Sequence, residues 1–203
     1  MRKKKTKNKS KKRKTNINLI ITSPHWYCLN KDENLCDQSS HINSKILYND
    51  IKKKLKSKVV LLKPPKVHRN ITDANRPINK KMGLYHPLLK KFLKDIKYNL
   101  SRKPKMLLDV HSYSENNNLP FYLLHLNINS QKELANEFAL RICENANISF
   151  NKDMVKIGTY DNEIIRLALE RKIKIIEPFH HLAMRDGHCN YAGQFNNHPW
   201  LRP

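Results

Sequence analysis

Apolar residues along this chain follow two rhythms. Short runs of β-branched and aliphatic residues at 17–22, 58–62, 106–111 and 173–177 read as buried strands. Residues 121–126 form a further one after the polar Asn116-Asn117-Asn118 turn. Between these runs, apolar positions recur every three to four residues. Ile42, Ile46, Leu47, Ile51 and Leu55 share one helical face within 39–55, and Leu88, Leu89, Phe92, Leu93, Ile96 and Leu100 do so within 87–100. Leu134, Phe138 and Ile142 mark a helix over 131–145. Ile164, Ile165, Leu167, Ala168 and Leu169 mark another over 161–171, opened by an Asp161-Asn162 cap. Pro64-Pro65 closes the second strand in a stiff loop. Strand and helix in alternation predict an α/β fold, a three-layer α/β/α arrangement around a mostly parallel central sheet. No internal repeat is present. The segment 178–203, rich in His, Asn and Pro, is expected to wrap over the sheet edge without regular structure.

Composition changes the picture mainly at the N-terminus. With 203 residues and 39% hydrophobic content, residues 16–203 are expected to form one domain around one core. Residues 1–15 carry a block of Lys and Arg with no acid, which repels itself and is expected to be a disordered basic tail. Such a tail suits nuclear localisation or nucleic-acid contact, or serves as a solubilising extension. The net charge of +23 suits a polyanion partner. For the body of the chain, whose lysines are scattered rather than striped, a codon bias toward Lys, Asn and Ile accounts for the charge better than a polyanion partner does. No apolar run approaches a membrane span, and no signal-peptide core follows the basic start. Cys28, Cys36, Cys143 and Cys189 are too irregularly spaced for a disulfide scaffold. These features predict reduced thiols and an intracellular protein (cytoplasmic, nuclear or virion-enclosed) that is not secreted and does not enter a membrane. Oligomeric state is left open.

The candidate chemistry sits where strands end. Leu107-Leu108-Asp109-Val110-His111 is an apolar run that delivers a histidine to the carboxyl edge of a sheet, the edge at which open α/β folds bind ligands. His25, in Ser23-Pro24-His25, follows the first strand in the same way. If those strands are neighbours, two imidazoles converge there. A catalytic zinc takes about three protein ligands and keeps a position open for water. Glu177 ends the run Ile173-Lys174-Ile175-Ile176-Glu177, and a carboxylate at the end of an apolar strand is costly unless paired or functional. Upstream lies Arg69-Asn70-Ile71-Thr72-Asp73-Ala74-Asn75-Arg76, whose arginines suit bidentate carboxylate binding.

Asp73-Ala74-Asn75-Arg76 followed by Asp109-Val110-His111-Ser112-Tyr113-Ser114 resembles the zinc carboxypeptidases. Pro24-His25 with an acid before the next helix resembles the N-formylglutamate amidohydrolases, which share that core. The chain departs from the carboxypeptidase pattern His-x-x-Glu, since Cys28 stands three residues after His25. The resemblance covers roughly 19–178 and implies a zinc-carboxypeptidase-like core binding Zn2+. His25, His111 and Asp37 would be the ligands, with Glu33 and Asp32 as alternatives to Asp37. It further implies Glu177 as general base and then proton donor, and Arg69 as oxyanion stabiliser. Asn75 and Arg76 would grip a substrate carboxylate, Asp73 would brace the arginines, and Tyr160 would close over the substrate. The expected activity is zinc-dependent hydrolysis of an amide in a small acyl-amino acid or peptide bearing a free carboxylate. The alternative is an inactive member of the same fold that associates with nucleic acid.

Overall fold

A computed structural model describes residues 17–25, 27, 38–55, 58–67, 71–76, 78–79, 84–113, 119–126, 128–158 and 162–181. Strand β1 (Leu19–Thr22) leads to helix α1 (Gln38–Leu55) and strand β2 (Val59–Leu62), and a short antiparallel pair follows, β3 (Ile78–Asn79) with β4 (Leu84–Tyr85). A 3₁₀ turn at Pro87–Leu89 opens α2 (Lys90–Leu100), after which come β5 (Met106–Asp109), β6 (His111–Tyr113) and β7 (Phe121–His125). Helix α3 (Asn129–Ala146), β8 (Val155–Ile157), α4 (Glu163–Leu169) and β9 (Lys174–His181) complete the order.

The main sheet has seven strands in the order β2-β1-β5-β9-β7-β8, with β6 also on β9. Every pairing in it is parallel except that of β7 with β9. The residues alternate between its faces. Ile21, Leu108, Leu123 and Ile176 meet Leu47 and Ile51 of α1 and Phe138, Ala139 and Ile142 of α3 on one face. On the other, Ile20, Leu107, Leu126 and Ile175 meet Phe92, Leu93 and Ile96 of α2 and Ile164, Ile165 and Ala168 of α4. The predicted three-layer α/β/α fold is therefore the observed one. Among the described residues no helix is long and apolar enough to cross a membrane.

Two details depart from the sequence pattern. The run 106–111 is two strands, because the Val110 N–H turns to the Thr22 carbonyl (2.9 Å). Both parts keep one stagger against β9, Leu108 opposite Ile176 and His111 opposite Phe179. The irregular course expected from 178 onward is corrected as well, since β9 continues through Pro178 to His181. It does so because β6 and β7 flank it there on both sides, which local composition does not reveal.

Candidate active site

Two strands with opposite onward connections create the crevice. From β1 the chain crosses to β2 on one side, whereas β5 leads through β6 to β7 on the other. Ligand sites in open α/β sheets form at such a switch point, beyond the carboxyl ends of the strands. Both histidines singled out by the sequence lie there. The His25 and His111 rings stand 5.4 Å apart between centres, tilted by 56°, and both residues are buried.

A polar row crosses the sheet directly beneath them. Thr22 of β1 pairs with Asp109 of β5, and the common stagger of β5 and β6 on β9 sets Glu177 beside Asp109. Asp109 is fully buried. Its Oδ1 accepts from the Thr22 hydroxyl (2.6 Å) and its Oδ2 from the Asn162 side-chain amide (3.0 Å). Asn162 also caps α4, its Oδ1 accepting from the Ile164 N–H (2.8 Å). His111 Nε2 points into this row, 3.3 Å from Asp109 Oδ2 and 3.9 Å from Glu177 Oε2. Residues i and i+2 on a strand share a face, so Asp109 and His111 arrive together.

The two acids titrate apart. Burial alone would raise the Asp109 carboxyl, but the His111 charge, with hydrogen bonds from His111, Thr22 and Asn162, holds it below its usual value. Glu177 lacks that support. Burial and then the neighbouring Asp109 charge push it up to about 8, against a smaller opposing effect of His111. Gly158 presses from the other side, where even a methyl group would come within 3.2 Å of Glu177 Oε1.

The turn 71–76 supports the histidines. Asp73 Oδ1 accepts from His25 Nε2 (2.7 Å) and from the Asn75 N–H (2.9 Å). Asp73 was expected to brace the arginines; its carboxylate also holds His25, and Arg69 lies outside the described residues. The turn docks on α4, with the Glu163 N–H donating to the Asn75 carbonyl (2.7 Å). The Asn75 side chain is buried, Nδ2 lies 3.5 Å from His111 Nε2, and Oδ1 has no hydrogen-bond partner among the described residues. Arg76 is exposed at the end of the turn. His25, His111, Asn75 and Glu177 are thus brought together. Asp37, Glu33, Asp32, Arg69 and Tyr160 lie outside the described residues.

Sequence reasoning missed Asp109, Thr22 and Asn162 as members of the site. The signal for Asp109 was present in the strand alternation that places it with His111. Thr22 and Asn162 become visible only through the pairing of β1 with β5 and the seat of α4.

The donor set fits a metal ion. Donor atoms of Asp109, His111 and Glu177 all lie within 4.8 Å of one another. A Zn–N bond of about 2.1 Å puts each imidazole centre roughly 3.2 Å from the ion, so a tetrahedral pair of histidines has centres about 5.2 Å apart. The separation of His25 and His111 is close to that. With Nε2 of His25 committed to Asp73, a metal would meet that ring through Nδ1.

The sequence matches no protein-family model and no curated protein. Its fold matches solved structures. One is the CwlD amidase from Clostridioides difficile, solved with the GerS lipoprotein, at 13% identity over 92% of this chain and 94% of that one, TM-score 0.56. Another is the catalytic domain of CwlV, an N-acetylmuramoyl-L-alanine amidase from Bacillus (Paenibacillus) polymyxa, at 10% identity over 89% and 92%, TM-score 0.50. A gene product of Agrobacterium tumefaciens matches at 12% identity over 90% and 85%, TM-score 0.54. Likeness at these identities is one of fold. The expected membership of the zinc carboxypeptidase and N-formylglutamate amidohydrolase superfamily is corrected by these neighbours. Motifs as short as Asp-Ala-Asn-Arg and Asp-x-His-Ser describe a turn and a strand end, and do not fix a lineage. What the chain shares, over nine-tenths of its length, is the fold of the CwlD and CwlV amidases.

Proposed function

We propose that the chain is a zinc-dependent amide hydrolase acting on a bond of the N-acetylmuramoyl-L-alanine type, an acyl group on an amino acid or peptide that bears a free carboxylate. The observation that carries this reading is the meeting of His25, His111 and Glu177, far apart in the chain, at the switch point of an amidase-like sheet. The donor set of two imidazoles and a carboxylate suits zinc.

His25 and His111 would hold the ion with one acid, either Asp109 or the Asp37 anticipated from the sequence. Bound zinc supplies Lewis acidity, polarising a carbonyl and easing deprotonation of water. Glu177 moves the proton, taking it from the attacking water and returning it to the leaving nitrogen. In the metal-free chain its carboxyl is raised to about 8, and a cation bound beside it would lower that value toward the range in which a carboxyl both accepts and returns a proton near neutral pH. Asp73 fixes the plane of His25, and Thr22 with Asn162 fixes Asp109. The buried Asn75 Oδ1 is available to accept from the substrate amide N–H, and exposed Arg76 suits the substrate carboxylate.

The test is hydrolysis of an N-acetylmuramoyl-L-alanyl peptide by the zinc-loaded full chain, followed by release of the L-alanyl amine. Glu177→Gln should abolish release while zinc stays bound. Turnover retained by that variant, or no stoichiometric zinc in the reloaded wild type, would overturn the proposal.

A further inference from the structure

Beside the polar row runs an aromatic one that hydrolysis does not call upon. The Phe179 ring stacks on His111 with centres 4.7 Å apart and planes 14° apart. Tyr122 stacks on the far face of Phe179 at 4.8 Å and 9°. The Lys156 ammonium covers the outer face of Tyr122, 4.8 Å from its centre. The register explains the geometry: His111 of β6 and Tyr122 of β7 both pair with Phe179 of β9. Neighbouring strands lie about 4.8 Å apart, so three rings in one row stack at that spacing.

Aromatic pairs left to themselves prefer offset or edge-to-face arrangements. Here the sheet imposes near-parallel planes, and charge at the ends favours them. The ammonium lies on one end of the stack. At the other end sits an imidazole that becomes cationic in character on protonation or metal binding, and cations favour ring faces. Phe179 and Tyr122 are each half-buried, while His111 is buried between Phe179 and His25.

The geometry points to Phe179, backed by Tyr122, as a positioning residue that sets the plane of the His111 imidazole. A histidine at a strand end turns about its outer side-chain bond until contacts fix it, and a flat ring laid against its face fixes the plane that hydrogen bonds at the ring edge then use. With the stack in place, Nε2 is turned toward Asp109 (3.3 Å) and Glu177 (3.9 Å). Metal-binding histidines elsewhere are oriented by partners outside the ligand shell, whose loss weakens binding about 10–100-fold. In this chain the stack does that work. Its consequence for zinc rests on the hydrolase reading above; the orientation of the ring does not.

The experiment uses the full chain with labelled histidine, first free of metal. In wild type and in Phe179→Tyr, which keeps a flat ring, the His111 ring protons should resonate upfield from the ring current of residue 179. In Phe179→Leu they should move downfield toward the half-buried His86. Tyr122→Leu, which leaves Phe179 in place, should shift them partway and provides a second reading if Phe179→Leu folds poorly. Zinc affinity, measured by chelator competition, should fall about 10–100-fold in Phe179→Leu and hold in Phe179→Tyr. Unmoved His111 resonances in Phe179→Leu and Tyr122→Leu would overturn the inference. A wild type that binds no zinc would overturn the hydrolase reading, while the resonances still decide the role of Phe179.

Discussion

Removing the charge of Glu177 should stabilise the metal-free protein, by an amount that grows with pH. In the folded chain this carboxyl is raised from 4.5 to about 8, chiefly by burial and then by Asp109. A raised folded value means that the folded state keeps a proton the unfolded chain has released. The stabilising contribution is complete below about pH 4.5 and is lost as pH rises through about 8. At about 1.4 kcal/mol per pH unit, the whole window is worth on the order of 5 kcal/mol, a large share of a typical domain's stability. Gln is neutral throughout and nearly the shape of a protonated Glu. Urea unfolding of wild type and Glu177→Gln in chelator, at steps from pH 4.5 to 8.5, isolates this group, because other titrating residues cancel in the difference. The two proteins should be nearly equal at pH 4.5, and the variant should lead by several kcal/mol at pH 8.5. Stability curves that stay parallel across that range would refute the reasoning. Asp109→Asn offers a check on cause, since it should move the window to lower pH.

Three further outcomes follow from individual contacts. Gly158→Ala should displace Glu177 from its present place beside His111 and lower turnover about 10–100-fold, as misplacement of a reacting group does, with the fold intact by circular dichroism. Unchanged turnover would mean that Glu177 tolerates displacement. Asn162→Ala removes both the α4 cap and a hydrogen bond to buried Asp109, and should cost about 2–3 kcal/mol in chemical denaturation; Asn162→Ser should recover part of it. Lys172 sits after α4 with φ 56°, a conformation that glycine adopts freely, so Lys172→Gly should raise stability by about 1 kcal/mol in thermal unfolding. A loss of stability there would show that the lysine side chain matters more than its backbone.

Much of this architecture was legible in the sequence, for reasons that can be named. Helices α1, α2 and α3 announce themselves because their apolar faces must reach a sheet, and the periodicity of Phe92, Leu93 and Ile96 records that contact. His25 and His111 were readable as partners because strand ends at a switch point converge in any doubly wound sheet. Strand β8 was not readable, since only three residues of mixed polarity, Val155–Ile157, take their conformation from β7. The antiparallel course of β7 on β9 was equally hidden, because alternation does not encode direction. Asp73 was read as a brace for arginines because its neighbours in the chain are arginines. Its additional grip on His25 depends on a contact 48 positions away, which no local pattern carries.

The sheet also explains why the acids differ in titration. Asp109 lies inside the sheet, flanked by β1 and β9, so Thr22 can reach it from one side and Asn162 from the α4 layer above. The neighbouring His111 charge, with these two fixed donors, keeps it ionised. Glu177 shares the row but faces Leu124 and the bare backbone of Gly158 across β7, neither of which brings a side-chain donor to it. The same step along the sheet that gives one carboxylate its partners leaves the other in apolar surroundings, beside a like charge. A pair of acids separated in this way provides one fixed negative charge and one movable proton. His111 Nε2 stands near both, 3.3 Å from Asp109 Oδ2 and 3.9 Å from Glu177 Oε2. Replacing Thr22 with Val should therefore raise Asp109 toward ordinary values yet leave it ionised near neutral pH, so that Glu177 keeps the like charge beside it and stays raised. The limb of the activity profile set by Glu177 should then hold its place, and a shift of that limb in Thr22→Val would refute the assignment of the Glu177 value to burial and the Asp109 charge.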